Sequence, residues 1–259
     1  MTQNSFCGEN LPDIPTIGKD QNFRFGCGPD SPCFNRCCRD LLLPLTPYDV
    51  ARARRSLGVS GSEFLTAFAE SRVVPETGLP LPILRMIESP SRECPFVTPA
   101  GCSVYEDRPG ACRLYPLGRS ASVGADGAKE RFLLAAESYC QGWGRGSEYT
   151  PETWTLAQDM RMYNYFNDRY MRLMTLIAAG GEPLNERVAG LAFLCLYQLE
   201  SFRELILKMK IFSRVEVDEK RRSAIMNASL AGDEACLDFA FDWLELAIFG
   251  IAEKICPSL

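Results

Sequence analysis

Twelve cysteines and no histidine in 259 residues constrain this chain more than any other feature. Without an imidazole there is no Ser-His or Cys-His nucleophile pair, no imidazole base, and no zinc site with a His ligand. A metal held by this protein must therefore rest on thiolates or carboxylates. Proton transfer would fall to Glu, Asp, Tyr, Lys or a thiol. The cysteine content is below that of a disulfide scaffold, and a chain of this length with 46% hydrophobic residues can bury a core without staples.

Compartment and partners follow from the rest of the composition. The opening Met-Thr-Gln-Asn-Ser-Phe-Cys has no basic region followed by an apolar run, so no secretory signal is expected. The most apolar stretch, Ala235 to Ala252, is interrupted by Asp238, Asp242 and Glu245, which predicts an amphipathic helix rather than a membrane span. With 28 basic and 33 acidic residues the net charge is -5, giving no general attraction to nucleic acid or to anionic lipid. The expectation is a cytoplasmic protein with reduced thiols, no nucleic-acid partner and no membrane partner. Reduced thiols clustered in sequence point to metal.

The cysteines and prolines divide the chain near Thr150, with nine cysteines before it and only Cys195, Cys236 and Cys256 after it. Three segments are expected: an extended arm over 1–24, a Cys-rich metal-cluster module over 25–149, and a helical bundle over 150–259. In the module, Leu45-Thr46-Pro47-Tyr48-Asp49 starts a short basic helix that Gly58 stops, and Ser60 with Glu63 forms a capping box for another. Short strands are expected over 81–89, 102–106 and 130–139, with a turn at Gly124 to Gly127. In the last segment, Thr150-Pro151-Glu152 opens a helix that Gly180-Gly181 ends. Apolar stripes predict further helices over about 186–210 and 233–253, and Asp218 to Arg222 reads as a helix start. The fold class is α+β, predominantly α: a Cys-rich metal-binding module of short strands and helices plus a C-terminal antiparallel helical bundle.

The candidate metal ligands are Cys27, Cys33, Cys37, Cys38, Cys94, Cys102, Cys112 and Cys140. Four of them fall within Cys27-Gly-Pro-Asp-Ser-Pro-Cys33-Phe-Asn-Arg-Cys37-Cys38, on a loop whose breakers let several sulfurs converge as a helix could not. Zinc and iron-sulfur clusters both accept four thiolates. Only Cys33 to Cys37 or Cys38 has the short knuckle spacing of structural zinc, while irregular spacing and an adjacent Cys-Cys pair suit a cubane better. Arg24, Arg36, Arg39, Arg92, Arg108 and Arg113 crowd these cysteines and either offset a cluster's charge or make ordinary surface ion pairs.

Other features have blander readings. Gly142, Gly144 and Gly146 are candidate cofactor-binding positions, because amides between a strand and a helix can hold a phosphate or carboxylate, but they lack the dinucleotide fingerprint and suit a connecting loop better. Cys195 and Cys236 lie on apolar helical stripes and read as core, and Cys7 and Cys256 have no evident partner. Tyr163, Tyr165, Phe166 and Tyr170 have the spacing of bundle core, and Arg52, Arg54 and Arg55 that of a solvated helix face.

The cysteine motifs resemble the YkgJ-like family of zinc- or iron-chelating CxxCxxCC proteins over about residues 25–146. Cys33 with Cys37-Cys38, Leu45-Thr46-Pro47-Tyr48-Asp49 and Cys94-Pro95-Phe96 carry the likeness. So do Cys102 through Pro109, Cys112-Arg113-Leu114-Tyr115-Pro116, and Cys140 with its following glycines. The name motif is stretched here, with five residues between Cys27 and Cys33 and three between Cys33 and Cys37. The family is similar to flagellin lysine N-methylase, an iron-sulfur protein using S-adenosylmethionine, and that likeness implies iron over zinc. The function expected is therefore that of a [4Fe-4S] protein with a redox or cluster-dependent catalytic role, acting on a peptide or protein substrate or redox partner. A zinc-stabilised interaction module and an S-adenosylmethionine-dependent protein lysine methylase are the alternatives.

Overall fold

The structure is a computed structural model that describes residues 15–124, 127–135, 137–251 and 253–257. Along the chain run β1 (Thr16–Ile17), β2 (Phe23–Phe25), α1 (Pro47–Leu57), α2 (Gly61–Phe68), β3 (Ala69–Val73), β4 (Pro80–Leu84), β5 (Val97–Thr98) and β6 (Gly101–Cys102). There follow α3 (Gly110–Leu114), β7 (Leu117–Gly124), β8 (Gly127–Leu134), β9 (Ser147–Tyr149), α4 (Pro151–Ala157), α5 (Arg161–Ala179) and α6 (Glu186–Tyr197). The last elements are α7 (Leu199–Lys208), β10 (Val215–Glu216), α8 (Glu219–Met226), α9 (Leu230–Phe249) and β11 (Cys256–Pro257). Every strand pairing is antiparallel, and the fold is α+β, predominantly α. Among the described residues no helix is long and apolar enough to cross a membrane.

Two compact units form, and neither is continuous in sequence. The cysteine unit gathers the described residues up to 41 with 86–105 and 110–164. Its largest sheet has the order β1-β8-β7, with Thr16 opposite Leu133 and Leu117 opposite Leu134. The expected turn at Gly124 to Gly127 closes this hairpin, its two central residues lying outside the described ones. Of the expected arm, residues 1–14 lie outside the described ones, and the rest contributes β1 and the start of β2. β2 pairs with β9, and Phe23 and Phe25 pack edge-on against Trp154, whose Nε1 donates to Leu114 O at 2.8 Å.

The helical unit gathers 42–85, 106–109 and the chain from 165 onward. α9 lies at its centre, packed against α1, α6, α7 and α8. The capping residues read from sequence are in place: Thr46 with Asp49 and Ser60 with Glu63 form capping boxes, and Asp218 caps α8. Cys195 and Cys236 are fully buried in this core. Burial pushes both thiols up, Cys236 to about 12.

Four expectations need correction. The helix after Thr150 is broken between α4 and α5, where Asp159 takes a left-handed φ of 48°, a conformation its short polar side chain tolerates. The helix over 186–210 breaks at Gln198, which resets the helical phase so that Tyr197 and Leu199 are both buried. The strand over 102–106 ends at Cys102 because its partner β5 is only two residues long, and a 3-10 turn follows at Tyr105–Asp107. The basic face of α1 is only partly solvated: Arg55 is exposed but Arg54 is buried, and Arg54, Arg55 and Arg203 all pair with Asp233, itself only 1% exposed. Arg52 pairs with Asp107 at 2.6 Å.

Candidate metal centre

The eight candidate cysteines, Cys27, Cys33, Cys37, Cys38, Cys94, Cys102, Cys112 and Cys140, all fall in the cysteine unit. The first loop is wound by successive turns: Ser31 N–H donates to Gly28 O, Phe34 to Ser31, Arg36 to Cys33, and Cys38 to Asn35. Asn35, with φ 64°, reverses the chain just before the 3-10 turn Arg36–Cys38. Its side-chain amide donates to Thr98 O at 2.9 Å, tying this loop to the β5–β6 hairpin that carries Cys102. Phe34 lies against Gly101, where φ is 120° and a side chain would crowd the ring.

Backbone hydrogen bonds bring the distant cysteines to this loop. Cys94 N–H donates to Cys38 O at 2.8 Å, and Asp40 N–H to Arg92 O, with Arg39 bridging Glu93 beside them. On another side Gly26 N–H donates to Gly142 O, and Gln141 N–H reaches the Cys33 sulfur at 3.2 Å. Cys33 and Cys94 are buried, Cys37, Cys38, Cys102 and Cys140 half-buried, and Cys27 and Cys112 exposed.

The thiols feel one another. Burial raises Cys27, and Cys37, Cys33 and Cys140 add to the shift. The neighbouring Cys38 thiol lowers the Cys37 thiol to about 7 against its burial, and Cys37 together with burial pushes Cys38 up. Burial raises Cys94, with Cys102 and Cys37 adding to it. Two tyrosines, neither singled out on sequence, line the same place. Burial raises Tyr115, whose hydroxyl has no hydrogen-bond partner, and burial, Glu137 and the nearby thiols push Tyr139 to about 12. Their one sequence signal is position, Tyr115 inside the Cys112–Pro116 motif and Tyr139 next to Cys140.

The glycines after Cys140 are used by packing. A side chain at Gly142 would meet the Phe25 ring at 2.5 Å, and one at Gly146, with φ 68°, would meet Phe25 O at 2.8 Å. Gly144 N–H donates to Arg24 O, and the Arg24 guanidinium to Gly146 O at 2.9 Å. Of the other arginines, Arg39 pairs with Glu93 and Arg92 with Asp40, both at the surface. Arg36 lies over the Tyr139 ring, Arg113 donates to Gln158 O, and Arg108 is buried.

Thiolates without imidazole suit a soft metal or an iron-sulfur cluster. The donor set fits such a group, as does the N–H aimed at the Cys33 sulfur. Trp143 Nε1 is also buried near Cys140 with no hydrogen-bond partner. Among the described residues no three Cys, Asp or Glu side chains already close on one point, so a metal would draw its ligands in as it binds.

Residues 27–141 match the model of the family CxxCxxCC, whose description is "Putative zinc- or iron-chelating domain". Over this segment the chain is similar to the CxxCxxCC family. The CxxCxxCC domain opens on Cys27 and closes one residue past Cys140, so it spans all eight candidate ligands. The match supports metal binding, with zinc or iron as the metal. No curated protein and no solved structure matches the chain.

Proposed function

We propose that the CxxCxxCC domain holds a [4Fe-4S] cluster on cysteine thiolates and serves a redox or cluster-dependent catalytic role on a peptide or protein substrate. One observation carries this reading: eight thiols from loops far apart in sequence share one compact unit, with a backbone N–H directed at the Cys33 sulfur. Such a donor tunes the potential of a sulfur-bound iron. When bound, the cluster supplies electron transfer or a Lewis-acidic iron.

The chain's own residues perform the remaining tasks. The neighbouring Cys38 thiol lowers the Cys37 thiol, which favours Cys37 as a ligand. The rings of Phe25, Tyr115 and Trp143 pack on one another, and the buried Tyr115 hydroxyl has no hydrogen-bond partner. The irregular ligand spacing supports iron over zinc, because knuckle pairs are lacking beyond Cys33 with Cys37 or Cys38. The family description also supports zinc, in which case the domain is a metal-stabilised interaction module.

The deciding experiment measures iron, zinc and acid-labile sulfide on protein purified without oxygen, together with its visible spectrum. Brown protein with iron and sulfide in equal amounts is expected. Colourless protein with zinc and no sulfide would replace the cluster by the structural module. Cys37→Ser or Cys112→Ser should lower metal content, and Cys195→Ser should not. Equal loss in all three, with the fold intact, would contradict the assignment.

A further inference from the structure

We propose that the eight thiols build two separate four-sulfur metal centres, divided between the adjacent residues Cys37 and Cys38. One centre takes Cys27, Cys33, Cys37 and Cys140, and the other takes Cys38, Cys94, Cys102 and Cys112. The inference rests on the metal-binding reading of the domain but not on which metal it holds.

The backbone sorts the sulfurs into these sets. In the first, Gly26 N–H donates to Gly142 O at 3.1 Å, seating Cys27 beside the chain that leaves Cys140, and Gln141 N–H holds the Cys33 sulfur to the same segment. In the second, Cys94 N–H donates to Cys38 O at 2.8 Å, Val97 N–H to Cys94 O at 3.1 Å, and Cys102 sits opposite Val97 in the β5–β6 hairpin. Cys38, Cys94 and Cys102 therefore lie along one hydrogen-bonded strip.

Electrostatic neighbours follow the same division. Cys27 feels Cys33, Cys37 and Cys140, whereas Cys38 feels Cys94 and Cys112, and Cys94 feels Cys102. The sulfur shared between the two groups is that of Cys37, at the seam.

The seam itself favours division. Cys37 and Cys38 end a 3-10 turn, in which successive side chains are rotated by about 120°. A tetrahedral thiolate site needs four sulfurs, so eight complete two sites and leave none over.

The test is a titration of the full-length, reduced, metal-free chain with Co(II) alone under anaerobic conditions, following the thiolate-to-cobalt charge-transfer band. Two tightly held Co(II) per chain are expected. Cys27→Ser and Cys102→Ser should each halve that number, and the double variant should remove both centres. Saturation of the wild-type band at one Co(II) per chain overturns the division and leaves metal binding intact. The same holds if either single variant keeps the full count or loses all of it while its far-UV circular dichroism is unchanged. No Co(II) bound with thiolate character would overturn metal binding itself. The wild-type count decides the matter even if a variant fails to fold.

Discussion

Asp233 shows how far a single residue can depart from its sequence reading. Its carboxylate is buried, and Arg54, Arg55 and Arg203 converge on it from α1 and α7. Asp233→Asn would leave Arg203 in the core without its counter-charge and Arg54 with Glu200 alone. Removing one partner of a buried ion pair costs about 3–5 kcal/mol. We expect Asp233→Asn to lower the unfolding free energy measured by urea titration by an amount in that range, whereas Asp30→Asn, on an exposed loop, should leave it unchanged. The first arginines were visible in sequence as a basic run, but their partner lies 179 residues away from Arg54, beyond the reach of any local pattern. The core thiols Cys195 and Cys236 were legible because an apolar stripe is itself a local pattern.

At the scale of the element, α9 is hydrophobic around most of its circumference, and Asp238, Asp242 and Glu245 form its charged stripe. Arg169 and Arg221 pair with both aspartates, and Lys254 with Asp238 at 3.2 Å. Burial alone would raise Asp238, yet Tyr165, Lys254 and Arg169 hold its carboxyl below the ordinary value of 3.8. A depressed folded-state pKa contributes stability above the unfolded value and loses it as pH falls through the folded one. The destabilisation by Asp238→Asn, read from urea midpoints, should therefore be largest near neutrality and shrink below about 3.8. A penalty that is constant with pH would mean that the charge is not what matters.

The first turn of α2 supplies a second element-scale prediction. Alanine is better than glycine within a helix by roughly 0.5–1 kcal/mol, so propensity alone predicts that Gly61→Ala stabilises. A side chain there would sit 2.3 Å from Tyr197 O, a backbone atom at the end of α6. The clash should outweigh the gain, and overpacking typically costs about 1–3 kcal/mol. A lower melting temperature for Gly61→Ala is the expected result, and a higher one would show that α2 shifts freely.

For the whole molecule, the two compact units make different demands on ligand. The helical unit has an apolar core centred on α9, whereas the cysteine unit contains the eight candidate ligand thiols, whose repulsion as thiolates a bound metal would relieve. Chelation of the metal under reducing conditions should therefore speed amide hydrogen exchange over 27–41, 86–105 and 137–146, leaving α6 and α9 protected. Faster exchange in α9 to the same degree would mean that the units unfold together.

The sequence by itself determined the α+β class, the helix caps, the buried stripes and the chemical kind of the site. These depend on local propensity, on periodicity and on composition, and the absence of histidine left thiolate as the soft donor. Only the tertiary structure decided that residues 42–85 cluster with the late helices, that Arg54 faces a buried carboxylate, and which cysteines are neighbours. The Cys38–Cys94 hydrogen bond spans a 42–85 segment that clusters elsewhere, and the Gln141–Cys33 bond joins residues 108 apart. Such pairings are set by packing among distant segments, which a local pattern does not encode.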